Sequence, residues 1–213
     1  GLGDVYKRQF HDRGSGLVID TKFLEINNVS IFKDEPFVQD SLSDGANLVM
    51  FSGDKLCGSV QSGMIAGDDD LVNEIKNYSL FRTYRCSPMT LFELQETVLK
   101  YINKQEKEIP FWNLISQPYS SLEDRCKNIA KSISFSTSIE KGESVIGGGT
   151  LPDVILESPI LLINNVKTVD TVNQLIKNDI PIVPRIIKDQ VCLDLRSVFH
   201  NQDDIIVQAL NNS

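Results

Sequence analysis

The sequence predicts an α/β protein built from two parts. Short apolar runs alternate with amphipathic stretches along the chain, a pattern typical of strands that meet helices in packed layers. The pattern of predicted helices and strands changes after a polar segment that ends in Pro110. There we place the boundary between a first domain, residues 10–109, and a smaller α+β domain, residues 110–213. A chain of 213 residues is long enough to bury a core in each part.

Residues 1–9, GLGDVYKRQ, are predicted to be a non-native leader. They show no hydrophobic period and no initiator Met, and they resemble translated vector sequence. From Phe10 onward the sequence has the pattern of a folded protein, and it begins within a predicted strand. We therefore expect this chain to be the C-terminal part of a longer protein.

The first domain is predicted to alternate strands with helices. Its strands are short apolar runs bounded by turn residues: the run that ends in FHDRGSG, residues 46–51 and residues 60–66. The middle run is almost continuously apolar, which indicates burial on both faces of the sheet. Its helices begin with a proline or an acidic turn and carry helical periodicity: residues 36–43, 68–78 and 88–104.

The second domain is predicted to open with one long helix, residues 111–133, followed by a small mixed layer. The predicted strands are residues 133–139, 160–163, 182–187 and 191–195. The predicted helices that pack on them are residues 169–177 and 203–210.

Composition excludes several classes of function. A net charge of -8 argues against a nucleic-acid-binding surface on this chain. No apolar segment is long enough to span a bilayer, so we expect no membrane partner. The four cysteines lack C-x-x-C spacing, which predicts neither a metal site nor a disulfide framework and favours a cytoplasmic location.

Lys55 is a charged residue at an unusual position, shortly after an apolar run. It lies in NLVMFSGDKLCGSVQSG, residues 47–63, where a buried run stops among small residues. One interpretation is a strand-end lysine that reaches water. The other is a Schiff-base lysine, because a partly desolvated amine gives up its proton more readily and can attack a carbonyl carbon. Such a lysine would serve pyridoxal phosphate, and Asp12, at the end of an earlier strand, could hold the proton on its ring nitrogen.

Several motifs in one order resemble a known family. FSGDKLCGSVQSG resembles the active-site segment of bacterial selenocysteine synthases, the L-seryl-tRNA(Sec) selenium transferases, which reads Phe-Ser-Gly-Asp-Lys-Leu-Leu-Gly-Gly-Pro-Gln-Ala-Gly. HDRGSG is similar to the family's Asp-Leu-Gly-Ser-Gly. The resemblance continues through LFRTYRCSPMTLFELQETVLKYI, GGGTLPDVILESPILLI and IPIVPRIIKDQVCLDLRSV. It extends from about Phe10 to about Leu210.

The resemblance implies a pyridoxal 5'-phosphate site. Lys55 would bind the cofactor covalently and then take the Cα proton of the substrate, while Asp12 would pair with the pyridine nitrogen. Ser52 and Gln61 would be further cofactor-binding residues. The implied fold is fold-type I, like aspartate aminotransferase, with a partial large domain followed by the small C-terminal domain.

Arg82 and Arg85 are the implied binding site for selenophosphate. Guanidinium groups match phosphate oxygens bidentately, and i, i+3 spacing places both on one side if the segment is helical. The alternative is a solvated surface pair. After Arg85 the family commonly has a Lys before Met-Thr, where this chain has Ser87-Pro88.

The implied reaction converts seryl-tRNA(Sec) to selenocysteinyl-tRNA(Sec) through an aminoacrylyl intermediate. The implied assembly is a homo-oligomer, a ring of dimers whose sites lie between subunits. We expect this chain by itself to be inactive. Two alternatives stay open, a related lyase that acts on a small amino acid or amino sugar without tRNA, and an inactive fragment. Asp54 favours the synthase, because such lyases tend to lose that aspartate.

Overall fold

The computed structural model describes residues 7–19, 32, 35–147, 150–151 and 154–212. They form a mixed α/β chain that divides into two compact units, Gly1–Asn113 and Leu114–Ser213. The division falls after residue 113 rather than after residue 109, because Ile109 and Trp112 are buried within the first unit. Residues 1–6 of the predicted leader lie outside the described residues.

The first unit contains a three-stranded sheet of order β1-β2-β3. Its strands are β1 (Phe10–Asp12), β2 (Leu48–Ser52) and β3 (Gly63–Gly67). β1 runs parallel to β2, whereas β2 and β3 are antiparallel. Helix α1 (Val38–Ser43) lies between β1 and β2 in the chain, and Val38 shares a buried cluster with Val49 and Phe51. The three strands predicted for this domain are confirmed, with shifted ends.

Gln9 takes part in this sheet although it falls within the predicted leader. Its N–H donates to Asn47 Oδ1 at 2.9 Å, and its carbonyl accepts from the N–H groups of Asn47 and Leu48. These bonds extend the pairing of β1 with β2 by one residue. Gln9 is therefore part of the packed unit.

The helices that follow are α2 (Asp69–Asn77), α3 (Pro88–Ile102) and α4 (Pro110–Ile115), with a 3₁₀ helix at Ser79–Tyr84. Ser87 caps α3 by accepting a hydrogen bond from the N–H of Thr90, and Pro88 occupies the first turn. The predicted amphipathic helix is confirmed in its extent. Its apolar face is largely uncovered by the described residues: Met89 is 68% exposed and Ile102 is 69% exposed.

The second unit contains a four-stranded antiparallel sheet of order β4-β5-β7-β6. The strands are β4 (Thr137–Val145), β5 (Ile155–Ile163), β6 (Arg185–Ile187) and β7 (Gln190–Asp194). The helices are α5 (Tyr119–Ser132), α6 (Thr168–Ile176) and α7 (Asp203–Asn211). One cluster joins helices to sheet, and it includes Leu122, Leu161, Leu175, Leu193 and Leu210.

The prediction of one helix over residues 111–133 is wrong. The segment forms α4 and α5, and Pro118 stands at the N-cap of α5 in an extended conformation. Proline offers no N–H to a preceding turn and disfavours helical backbone in the residue before it. The helix must therefore stop after Ile115 and restart at Tyr119.

Candidate cofactor and anion site

The site is built at the edge of the first sheet where β1 and β2 both end. Because these two strands are parallel, Asp12 and Ser52, their last residues, come to the same edge. Two backbone bonds hold the loops that follow. Arg13 N–H donates to Met50 O at 2.8 Å, and Leu56 N–H donates to Ser15 O at 2.9 Å.

Gly16 shows how closely these loops approach. Its φ is +70°, and a Cβ there would lie 2.4 Å from the carbonyl oxygen of Ser52. A side chain would therefore force the loop after β1 away from the end of β2. Gly16 of RGSG thus serves the approach of backbone to backbone.

Lys55 and Asp12 border one small position, Gly14. A Cβ at Gly14 would lie 3.8 Å from Lys55 Nζ and 3.9 Å from Asp12 Oδ1, and Gly14 N–H donates to that same oxygen at 3.1 Å. Lys55 is half-buried and Asp12 is exposed. An amine and a carboxylate that are far apart in the sequence thus both lie within 4 Å of the position where a side chain would begin at Gly14.

A cavity of about 1180 Å³ adjoins this position. Its lining brings together Asp12, Ser52, Arg82 and Arg85, and it includes Gly14, which Lys55 borders. Gln61 is exposed and does not belong to the described lining. Its role as a cofactor-binding residue stays a prediction.

Arg82 and Arg85 follow β3 and α2 in the chain, yet they line the same cavity as Asp12 of β1. Arg82 belongs to the 3₁₀ helix Ser79–Tyr84, and Arg85 is the residue that caps its end. Residues three apart lie on one side of a 3₁₀ helix. Both side chains are exposed, and neither forms a hydrogen bond or an ion pair within the described part of the chain.

Sequence reasoning missed an aromatic part of the lining, formed by Tyr78, Phe81 and Tyr84. The signal was present as NYSLFRTYR, where aromatic and basic residues alternate at i, i+3 spacing. Exposed aromatic rings beside guanidinium groups give the cavity both an apolar and a cationic wall.

Burial explains two further polar residues, Cys57 and Arg196. Burial raises the pKa of the Cys57 thiol to about 11, so this cysteine stays protonated and packs as a small apolar group. Arg196, in the segment CLDLR, is only 5% exposed. It donates to the carbonyl oxygens of Gln117 at 3.0 Å and Glu157 at 2.7 Å, which supports a structural role.

The residues at the cavity suit pyridoxal phosphate. Pyridoxal phosphate requires an amine that can bond to its aldehyde carbon, an acid that can pair with its ring nitrogen, and space for a planar ring. Lys55 and Asp12 supply the first two beside Gly14, and the cavity supplies the third. No cluster of three or more metal-ligating side chains occurs among the described residues.

The described residues place this chain in the class of mixed α/β proteins. D-glucosaminate-6-phosphate ammonia-lyase has a similar fold, with a TM-score of 0.52 and 17% identity over 96% of this chain and 48% of that chain. The family follows from the sequence: residues 4–199 match the L-seryl-tRNA selenium transferase family, SelA, and this chain belongs to it.

Relatives in three bacteria support that membership. L-seryl-tRNA(Sec) selenium transferases are 34% identical in Campylobacter fetus, 33% in Clostridium perfringens and 32% in Aquifex aeolicus. The matches cover 93–95% of this chain but only 44–45% of the relatives. The chain therefore spans less than half the length of these relatives. No helix among the described residues is both long enough and apolar enough to cross a membrane.

Proposed function

We propose that the whole protein containing this chain converts seryl-tRNA(Sec) to selenocysteinyl-tRNA(Sec), with selenophosphate as selenium donor and pyridoxal phosphate as cofactor. Family membership supports the reaction class. The observation that carries the proposal is that Lys55 and Asp12 both border Gly14, which lines one cavity together with Asp12, Arg82 and Arg85. The reaction exchanges the seryl β-hydroxyl for selenium and releases phosphate.

Lys55 and Asp12 hold the cofactor in this proposal. Pyridoxal phosphate, when bound, supplies an electron sink for the bonds at the substrate Cα. The amine of Lys55 would hold its aldehyde carbon and would remove and return the proton at the substrate Cα. The carboxylate of Asp12 keeps a proton on the ring nitrogen, which an unpaired ring would lose. Ser52 ends β2 at the same edge and lines the cavity with Asp12.

Arg82 and Arg85 bind selenophosphate in this proposal. Their donors have no partner among the described residues, and both face a cavity large enough for a phosphate-sized anion. Guanidinium groups bind phosphate oxygens through short charged hydrogen bonds. The pair would therefore hold selenophosphate in the cavity that Asp12 also lines.

We also propose a cytoplasmic homo-oligomer whose sites lie between subunits. Exposed apolar side chains on α3 support contact with further polypeptide, because soluble proteins rarely leave large contiguous apolar surface uncovered. The mass of the whole protein in solution, by light scattering, tests the assembly. A monomer would contradict it.

The reaction is tested by incubating the whole protein with pyridoxal phosphate, seryl-tRNA(Sec) and selenophosphate. We expect selenocysteinyl-tRNA from the wild type and none from Lys55→Ala, while Lys107→Ala, which changes an exposed lysine outside the cavity lining, keeps the activity. Failure of the wild type would contradict the proposal. Release of ammonia from a small amino acid or amino sugar without tRNA would favour the lyase alternative.

A further inference from the structure

One face of α3 is packed against the loop that carries Lys55. Thr97 and Tyr101, four residues apart, lie on the same side of the helix. Thr97 Oγ1 donates to Ser59 Oγ at 2.9 Å, and Tyr101 Oη donates to the carbonyl oxygen of Cys57 at 2.6 Å. The loop is thus held from α3 at two points beyond Lys55.

Tyr101 is itself held in place by Trp112 of α4. Trp112 Nε1 donates to Tyr101 Oη at 2.8 Å, and the indole is fully buried. Phe111 packs edge-on against that indole at a ring separation of 4.9 Å. The hydrogen bonds therefore run from Trp112 to Tyr101 to the Cys57 carbonyl.

The phenol is suited to donate at every physiological pH. Burial raises the pKa of Tyr101 above its ordinary value, and the hydrogen bond from Trp112 lowers it by less. The hydroxyl therefore keeps its proton. That proton points to the peptide carbonyl two residues after Lys55.

The same turn is closely packed against the segment that contains Trp112. Gly58 has φ +69° and its N–H donates to the carbonyl of Lys55 at 2.9 Å, so it closes the turn around the lysine. A Cβ at Gly58 would lie 2.9 Å from Ile109 Cγ2 and 3.3 Å from Phe111 Cβ. The segment that holds Tyr101 through Trp112 therefore also limits the turn sterically.

We propose that Tyr101, held by Trp112, is a positioning residue that fixes the peptide after Lys55 and so keeps the lysine amine beside Asp12. The inference rests on the proposed function, because it gives a purpose to the orientation of Lys55. Tyr101 acts through the Cys57 carbonyl and does not touch the amine itself. Without the Tyr101 hydroxyl the Cys57–Gly58 peptide keeps only the hydrogen bond from Gly58 N–H to the Lys55 carbonyl, so the turn loosens and Lys55 samples orientations away from Asp12.

The test compares the wild type with Tyr101→Phe and Trp112→Phe in the whole protein, with Tyr119→Phe as the matched control. Tyr119 lies in the second unit, so its variant loses a phenol hydroxyl far along the chain from this loop. The first readout is amide hydrogen exchange of residues 53–60 without cofactor. The second is the fraction of Lys55 labelled by pyridoxal phosphate and borohydride at limiting cofactor.

We expect Tyr101→Phe to speed exchange in residues 53–60 by about threefold to tenfold, the effect of one lost hydrogen bond. Exchange in β4 and β5 should not change. Labelling of Lys55 should fall by a similar factor, and Trp112→Phe should show the same pattern more weakly. Tyr119→Phe should match the wild type in both readouts.

Unchanged exchange in residues 53–60 of Tyr101→Phe would overturn the inference, as would an equal rise throughout the protein. Faster local exchange with undiminished labelling of Lys55 would also overturn it, because the loop would then be held without positioning the amine. If the wild type carries no label on Lys55, the proposed function fails. Exchange still decides separately whether Tyr101 holds the loop.

Discussion

Each unit of this chain contains a pair of arginines, and the two pairs have opposite surroundings. In the second unit Arg125 and Arg196 are buried, with 3% and 5% of their surface exposed. Arg125 pairs with Asp203 at 2.6 Å and donates to the carbonyl of Val198 at 2.9 Å. In the first unit Arg82 and Arg85 are exposed on a cavity and have no partner within the described residues.

The difference separates arginines that hold the fold from arginines that can bind a ligand. A buried guanidinium is stable only when protein groups accept its hydrogen bonds. Arg125 meets that condition with a carboxylate and backbone carbonyls. Arg82 and Arg85 keep their donors free for an anion that comes from outside the chain.

The largest expected effect is on stability, from Arg125→Ala. Removing one partner of a buried ion pair leaves Asp203 without its counter-charge, and such losses cost about 3–5 kcal/mol of unfolding free energy. Chemical denaturation of the protein measures this loss of unfolding free energy in the second unit. The control is Lys127→Ala, whose ion pair with Glu123 is exposed to solvent and therefore contributes little to stability. Equal losses in the two variants would remove the distinction between the units.

The next effect is on selenium transfer, from Arg82→Ala and from Arg85→Ala in the whole protein. Loss of one charged hydrogen bond costs about 1.5–3 kcal/mol, which corresponds to a rate about ten- to hundredfold lower. Unfolding free energy should change by less than about 0.5 kcal/mol, because the side chains are exposed. Steady-state assays at varied selenophosphate concentration measure the rate of selenium transfer in each variant. Full activity in both variants would exclude them as the anion site.

Sequence patterns were sufficient where the signal is local. Ser87-Pro88 predicts the start of α3, and the acidic residues after Gly67 predict the start of α2. The long apolar run predicts β2, although Met50 within it is 37% exposed and lines the cavity. Caps, acidic first turns and buried strands each depend on neighbours within a few residues.

Sequence patterns were insufficient where the contact is distant. Pro118 was overlooked within a helical periodicity, so two helices were predicted as one. The packing of Ile109 and Phe111 on Gly58 joins segments about fifty residues apart, and no periodicity reports it. The role of Arg196 also depends on distant contacts, because its three carbonyl acceptors belong to other segments.

The most direct measurement is the location of the pyridoxyl group after borohydride reduction of the whole protein with pyridoxal phosphate. Mass spectrometry of the digested protein should find it on the peptide that contains Lys55. A variant Asp12→Asn should keep the group on Lys55 and lose selenium transfer, because its amide no longer holds the ring nitrogen's proton. A pyridoxyl group on another lysine, or none on the protein, would contradict the account.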